Sequence, residues 1–556
     1  MVKRTFIIVF PVLILGILFT GCRREEFILG DDLNVSDVDP SFAIPLAYTS
    51  LTLGDIERSF DSENFIYNES EQLFAFVYKK EIVRLGTEDL NLLENTSVGF
   101  SVTLSDAEAA AINALPAGQS FNVSYPVGLT FDFPEAPQIE TVTFDGGFMT
   151  LSLASDLPHP ISGMIEIPGL TSGGVALQQA ISLAANSTSE VQIPLEGYTL
   201  DLTLGGSGFN FIQVDADLTV TSSGQTTSAG AEVSFNFGFD FEAFSSIFGY
   251  LGTPEYTAVD TQLVNLFRNL NGGILHFADP RIELTVSNTS GIPFEINIAG
   301  VFAPENDVEQ LLGGSDLQNI PIINAAAAPG EVGYTYHTIT SNGTIPTLSA
   351  VLDEGPFELI YTSDILINPN GPQQNWVLDS SYLSCTAELI LPFYCYADNF
   401  TVSDTLDLVF EDILGADDEG ALDWNDVKKM QLRLIADNGL PVEMFGQVYF
   451  TDSLYNIIDS LYLDPENAFL ASGYIDFSLP ETHPDHGRVL EKRRTIRDSE
   501  LTGQRIQHMI AEEARKVILK ARSNTAGAAG QELVRFYPEY ELKLKLSAKL
   551  DTQIDL

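Results

Sequence analysis

From Phe42 to about Leu479, apolar and polar residues alternate in short runs closed by Gly, Asn, Asp and Pro. That is the pattern of strands with one buried face and tight turns between them. Ile282-Glu283-Leu284-Thr285-Val286 is one such run, and Phe294-Glu295-Ile296-Asn297-Ile298 repeats it past a turn. Turn dipeptides recur at Asp145-Gly146, Asn271-Gly272, Asn342-Gly343, Asn370-Gly371 and Asn438-Gly439, residue pairs that reach positive φ at low steric cost. The expected fold is mostly β, built of tandem antiparallel β-sandwich-like domains.

Three segments share one grammar: residues 151–167 (LSLASDLPHPISGMIEI), 282–301 (IELTVSNTSGIPFEINIAGV) and 432–450 (LRLIADNGLPVEMFGQVYF). Each reads as an alternating strand, a short polar turn, an apolar-Pro pair and a second strand. The pairs are Leu157-Pro158, Ile292-Pro293 and Leu440-Pro441. Proline cannot donate to a ladder, so it marks the first residue of the returning strand or an edge. The spacing of roughly one domain length favours diverged repeats over chance similarity among hairpins. Residues 42–56 and 389–410 echo one another more loosely. The chain divides on this reading into an N-terminal β domain (41–144), a β domain with the first repeat (145–270), one with the second (271–400) and a C-terminal domain with the third (401–556).

The C-terminal part changes character. Ile506, Ile510, Ala514, Val517 and Ala521 fall on one face at helical spacing, with Arg505, Glu512, Glu513, Arg515, Lys516 and Lys520 around the rest. The spacing predicts an amphipathic helix of about 20 residues, starting near Ser499 or Thr502 and packed on a sheet. Lying on a membrane is its alternative. The final YELKLKLSAKLDTQIDL alternates strictly from Leu542 to Leu546, as a strand completing that sheet would.

The N-terminus carries its own signal. Lys3 and Arg4 precede an apolar run from Thr5 to Phe19, which ends in Thr20-Gly21-Cys22. Charge, apolar core and small residues are the order of a secretory signal over residues 1–21. The run is short for a membrane span, which needs ~20 apolar residues. A Cys directly after the small residues is similar to a bacterial lipobox, and that resemblance implies diacylglycerol and acyl chains on Cys22 of the mature chain. Residues 22–40 read as a polar, acidic tether.

Composition narrows the functions. Acidic residues outnumber basic ones 77 to 27, which argues against nucleic acid as a partner. Of the basic residues, ten lie within 488–522. Besides Cys22 there are two cysteines, Cys385 and Cys395. An oxidising compartment permits a disulfide between them, with two buried thiols as the alternative. His483-Pro484-Asp485-His486-Gly487 is the one histidine cluster and reads as a solvated loop. Asp417, Asp418, Glu419, Asp423 and Asp426 are bunched rather than spaced as calcium loops are, so casual calcium binding is the most they offer. No serine stands between glycines at nucleophile-elbow spacing, and Leu204-Gly205-Gly206-Ser207-Gly208 lacks the Lys-Ser/Thr of a phosphate cradle. Neither a cofactor, a metal site nor an enzymatic activity is expected.

The lipobox, the Pro-containing repeats and the ending RFYPEYELKLKLSAKLDTQIDL resemble large outer-membrane lipoproteins of Bacteroidota. The repeat unit is also loosely similar to late-embryogenesis-abundant β-sandwiches, although the Asn-Pro-Asn signature of that family is absent from the three turns. The first resemblance implies O-glycosylation at Asp-Ser/Thr-apolar triplets, which places candidate sites at Thr405, Ser453 and Ser460. The expectation is a membrane-anchored, non-enzymatic binding or scaffold protein for a protein or glycan. A carrier of an apolar ligand and a polysaccharide hydrolase are the alternatives.

Overall fold

The computed structural model describes residues 41–552 apart from 54–64, 69–72, 91–92, 135, 204–207, 242, 265–272, 306–307, 357, 408–426, 463–467, 481–482 and 484. The signal segment, Cys22, the tether and the acidic loop 417–426 therefore lie outside the described residues. Strands dominate, as the alternation predicts, and every pairing among the described strands that has an assigned register is antiparallel. Burial follows the pattern residue by residue: in Arg281–Asn288 every second side chain is buried.

Six sheets pair into three sandwiches. The first joins a four-stranded sheet (Thr188–Pro194, Phe148–Ser155, Glu232–Phe239, Thr96–Thr103) to a larger one whose strands run from Ser120–Thr130 to Phe244–Tyr250, with Asn375–Leu378 added at its edge. The second joins Phe65–Asn68, Leu73–Gly86, Tyr382–Pro392, Arg281–Asn288 and Gly333–Thr340 to Glu255–Leu263, Glu358–Ile367, Phe294–Glu305 and Val308–Leu312. The third joins Ser41–Thr52, Glu541–Thr552, Val427–Asn438 and Arg493–Thr502 to Phe400–Asp407, Lys516–Thr525, Val442–Thr451 and Ile457–Ser460. A small sheet of Ile274–Phe277, Tyr394–Asp398 and Val534–Arg535 ties the second to the third.

The sandwiches do not follow the linear cuts at 144, 270 and 400. They are nested. Ser41–Thr52 pairs with Glu541–Thr552 in the third, Leu73–Gly86 with Tyr382–Pro392 in the second, and the middle of the chain forms the first. Residues 41–144 thus contribute to all three. Strand alternation specifies which face is buried but not which distant strand is the neighbour.

The three repeated segments are not hairpins either. In each, the first strand belongs to one sheet of a sandwich and the second strand to the facing sheet. The turn carries the chain across the core, and the apolar residue of each apolar-Pro pair plugs it: Leu157, Ile292 and Leu440 are buried. Crossing a core exposes backbone groups to an apolar medium, and the last side chain of the first strand satisfies them. Asn438 accepts from Leu440 N (2.9 Å) and donates to Val442 O (2.8 Å) and Ala471 O (2.9 Å). Asn288 accepts from Ser290 N (2.9 Å) and donates to Ile292 O (2.7 Å) and Asn324 O (3.1 Å). Ser155 keeps the acceptor half alone, taking Leu157 N at 3.1 Å.

The C-terminal helix is shorter than its spacing predicts. It covers Gly503–Ala511, with Thr502 as N-cap, and buries Ile506 and Met509. The chain then turns at Glu513, whose φ is 54°, into the strand Lys516–Thr525. Val517 and Ala521 are buried as predicted, but from a strand. A spacing of four suits both a helix of period 3.6 and a strand of period 2, so it does not separate the two. Val427, Leu501, Ile506, Met509, Ala514 and Leu550 form a separate small core here. It closes the end of the third sandwich remote from the second.

Cys385 and Cys395 are free, buried thiols, so the expected disulfide is corrected. Cys385 sits in Tyr382–Pro392 between Val286 and Val83, and Cys395 pairs with Phe277 in the connecting sheet. Seven extended residues carry the chain ~23 Å from Cys385 to Pro392. The three residues that remain recover at most ~11 Å, which leaves ~12 Å between two Cα atoms that a disulfide needs ~5.5 Å apart.

Three outcomes follow. Asn438→Asp replaces a donor to two buried carbonyls with an acceptor and is expected to destabilise the third sandwich by about 3 kcal/mol, against about 1 kcal/mol for Ser155→Ala in the first. Hydrogen exchange resolved by segment separates the two. Burial pushes both thiols up to about 12, so alkylation at pH 8 is expected to spare Cys385 and Cys395 in the native protein and to modify both after denaturation without reductant. Glu541 accepts from Ser50 (2.6 Å), Lys543 (3.0 Å) and Lys492, and these bonds lower its carboxyl to about 2. The stability it adds is complete above its ordinary value near 4.5 and is lost as pH falls toward about 2. Glu541→Gln should therefore cost about 1 kcal/mol at neutral pH and nothing at the acid end of a pH series of urea melts.

Candidate binding surfaces

The residues singled out in the sequence do not converge on one site. Ser453 is exposed in the turn between Val442–Thr451 and Ile457–Ser460, and Thr405 is exposed on the edge strand Phe400–Asp407. Ser460 is half-buried, and its triplet is engaged: Arg505 holds Asp459 through two bonds of 2.9 and 2.8 Å and also donates to the Ser460 carbonyl. The histidine cluster is a turn whose side chains are committed separately. His486 is buried with Nδ1 2.8 Å from Leu479 O, His483 Nδ1 accepts from Asp485 N (3.1 Å), and Asp485 pairs with Arg488 (3.4 Å). Among the described residues no group of His, Cys, Asp and Glu is arranged to hold a metal ion. A separate pair, missed in the sequence because its members are 77 residues apart, sets His276 Nδ1 2.9 Å from both Asp353 oxygens and stacks the imidazole on Tyr396 at 4.9 Å.

Charge is distributed by sandwich. Between Arg84 and Arg268 the sequence has no Lys or Arg, so the first sandwich carries carboxylates without a cationic side chain to answer them. The outer face of its four-stranded sheet is small and polar. Register sets Glu190, Ser152, Asn236 and Gly99 in one row and Thr188, Ala154, Ser234 and Ser101 in the next. They line a shallow depression of ≈ 820 Å³.

The third sandwich holds most of the cations, and its two outer faces treat them differently. On the sheet of Val427–Asn438 most pair with carboxylates across strands, Arg433 with Asp498 (2.7 Å, two bonds), Arg494 with Asp437 (2.9 Å) and Lys429 with Glu500 (2.8 Å), while Lys545 lies over Tyr48 (5.5 Å). On the sheet of Lys516–Thr525 they lie over rings: Arg522 over Phe445 (4.6 Å), Lys520 over Tyr449 (5.6 Å) and Lys516 over Tyr455 (5.6 Å). The helical reading of 514–521 hid this ladder, since it put Lys516 and Lys520 on a solvated helix face.

The second sandwich presents aromatic surface. Tyr334 and Tyr336 are exposed on Gly333–Thr340, their rings nearly parallel and 6.3 Å apart. The free edge of this strand is covered by Asn324, which donates to Tyr334 O (3.0 Å), and by Asp316, which accepts from Thr340 N (3.0 Å). A covered edge discourages pairing with another chain while leaving the tyrosine face open.

No family model matches the chain, and no curated protein does. Solved structures give three similarities. A protein from Parabacteroides distasonis, provisionally assigned as secreted, is 13% identical over 63% of this chain and 99% of its own, with a TM-score of 0.16. The PBSX exported protein XepA is 9% identical over 50% of this chain and 87% of its own, with a TM-score of 0.12. A triple jelly-roll protein of an archaeal virus turret is 10% identical over 85% of this chain and 95% of its own, with a TM-score of 0.11. At these scores the superpositions carry no argument about function, and the chain stands on its own architecture of three nested, antiparallel β-sandwiches.

Proposed function

We propose that this chain is a lipid-anchored extracytoplasmic binding protein of the bacterial outer membrane, held through Cys22, whose β-sandwiches form a scaffold for a protein or glycan partner without performing catalysis. The observation that carries the reading is the order Lys3-Arg4, apolar run, Thr20-Gly21-Cys22, followed 19 residues later by a strand built into the third sandwich. Lipid chains hold a protein at a membrane when two or more are attached. With the anchor on the third sandwich, the nested topology sets the first sandwich at the far end of the chain's path. Its rows of Ser, Thr, Asn and Gly offer donors and acceptors rather than apolar contact, which suits a hydrated partner such as a glycan or a peptide backbone. Among the described residues no helix is long and apolar enough to cross a membrane.

Metabolic labelling with an alkyne fatty acid tests the anchor. The chain is expected to carry label and to sediment with membranes, and Cys22→Ser to lose both. An unlabelled native chain overturns the reading. Cross-linking the labelled protein in intact cells then tests the scaffold, with a stoichiometric partner expected on the first or second sandwich.

A further inference from the structure

The end of the third sandwich that faces away from the second gathers several features. Register places Ser41 beside Asp551, and Val427 beside Thr552 and Asp551's strand, so the N-terminal strand begins at this end. Val442–Thr451 starts from the Asn438 turn at the opposite end and therefore finishes here, where Thr451 lies beside Lys516. The turn that follows, Asp452–Asn456, projects from the sandwich with large apolar side chains in water. Leu454 is 79% exposed, Tyr455 54% and Ile457, just past it, 60%.

This turn is rigid. Asp452 accepts from Leu454 N (2.8 Å), Asn456 N (2.9 Å) and Asn456 Nδ2 (2.8 Å), and its own N–H donates to Asn456 O (3.1 Å). Tyr455 is held at a φ of 67°, a region that bulky side chains rarely adopt. Water gives three neighbouring apolar side chains no reason to be displayed on a fixed turn, because each costs free energy in proportion to the area it leaves wet. A lipid interface removes that cost. The Lys516 ammonium over the Tyr455 ring sets a cation beside the apolar tip, the pairing of aromatic and basic groups that suits the boundary between acyl chains and headgroups.

We infer that the Asp452–Asn456 turn docks on the bilayer, with Leu454, Tyr455 and Ile457 entering the interface and Lys516 at headgroup level. The inference rests on the lipid-anchor reading for the membrane's proximity. The strand that follows residues 22–40 starts at this same end of the sandwich, within a tether's reach of the lipid. Insertion gives the body a second point of attachment and so fixes its orientation, which a lipid on a long polar tether cannot do. It also removes Ser453 from reach of a glycosyltransferase.

Ser453→Cys in the full lipidated chain, labelled with an environment-sensitive fluorophore and reconstituted into phosphatidylcholine vesicles with and without phosphatidylglycerol, tests the inference. Labelling is selective because Cys385 and Cys395 are buried. The expected result is a blue-shifted emission, quenched by spin-labelled lipid and shielded from aqueous iodide by a factor of about three or more relative to the same label at Val175→Cys, an exposed position of the first sandwich. Leu454→Asp with Ile457→Asp should return the label to water. Equal iodide quenching at the two positions in a chain that has incorporated into vesicles overturns the docking and leaves the anchor standing. Failure to incorporate at all removes the anchor itself and the docking with it.

Discussion

The architecture depends on a buried amide. A β-sandwich needs the chain to pass between its sheets, and each passage drags backbone donors and acceptors through the core, where an unpaired group costs several times what a satisfied one returns. Asn438 and Asn288 solve this with one side chain each, supplying an acceptor to the turn and two donors to carbonyls on either side of the crossing. Neither Asp nor Leu, though similar in size, could serve both needs. The first sandwich manages with Ser155 because its turn is closed from outside as well, by Asp156 accepting from Glu232 N at 2.6 Å.

From those crossings the rest follows. Once each sandwich has its two sheets, the nesting brings strands hundreds of residues apart into register, and one continuous core runs from Leu53 to Leu544 through all three. The interior is therefore shared, while the exteriors diverge: carboxylates without cations on the first sandwich, exposed tyrosines on the second, cation ladders on the third. Under the proposed lipid anchoring, such a division would keep the acidic part of the body away from an anionic membrane and set its balanced part near it.

Much of this was legible in the sequence, and the rest was not for definite reasons. Period-two alternation predicted the strands, the buried face of Arg281–Asn288 and the closing strand Glu541–Thr552. The three strand-turn-strand segments stand out because a short polar turn and an apolar-Pro pair recur in each, but a hairpin and a sheet-to-sheet crossing use the same turn residues, so the destination of the second strand stays hidden. The spacing of Val517 and Ala521 fits two periods, and the turn at Glu513 that selects the strand leaves no mark in that spacing. The Cys385–Cys395 separation looked short in sequence and is long in space because the intervening strand is straight. The surfaces were least legible: the Lys516–Tyr455, Lys520–Tyr449 and Arg522–Phe445 contacts and the His276–Asp353 pair all join residues whose nearness is a product of topology.

The pairing of Ser41–Thr52 with Glu541–Thr552 has a mechanical consequence. Tension reaching the body from its N-terminal side along this strand does not peel its backbone bonds one after another. It loads the whole ladder in shear, from Ser41 against Asp551 to Thr52 against Glu541, and the neighbouring strand is itself bonded along its length to Val427–Asn438. The load is shared across the sheet before it reaches the second sandwich, so this seam resists a pull along its axis far better than one applied crosswise.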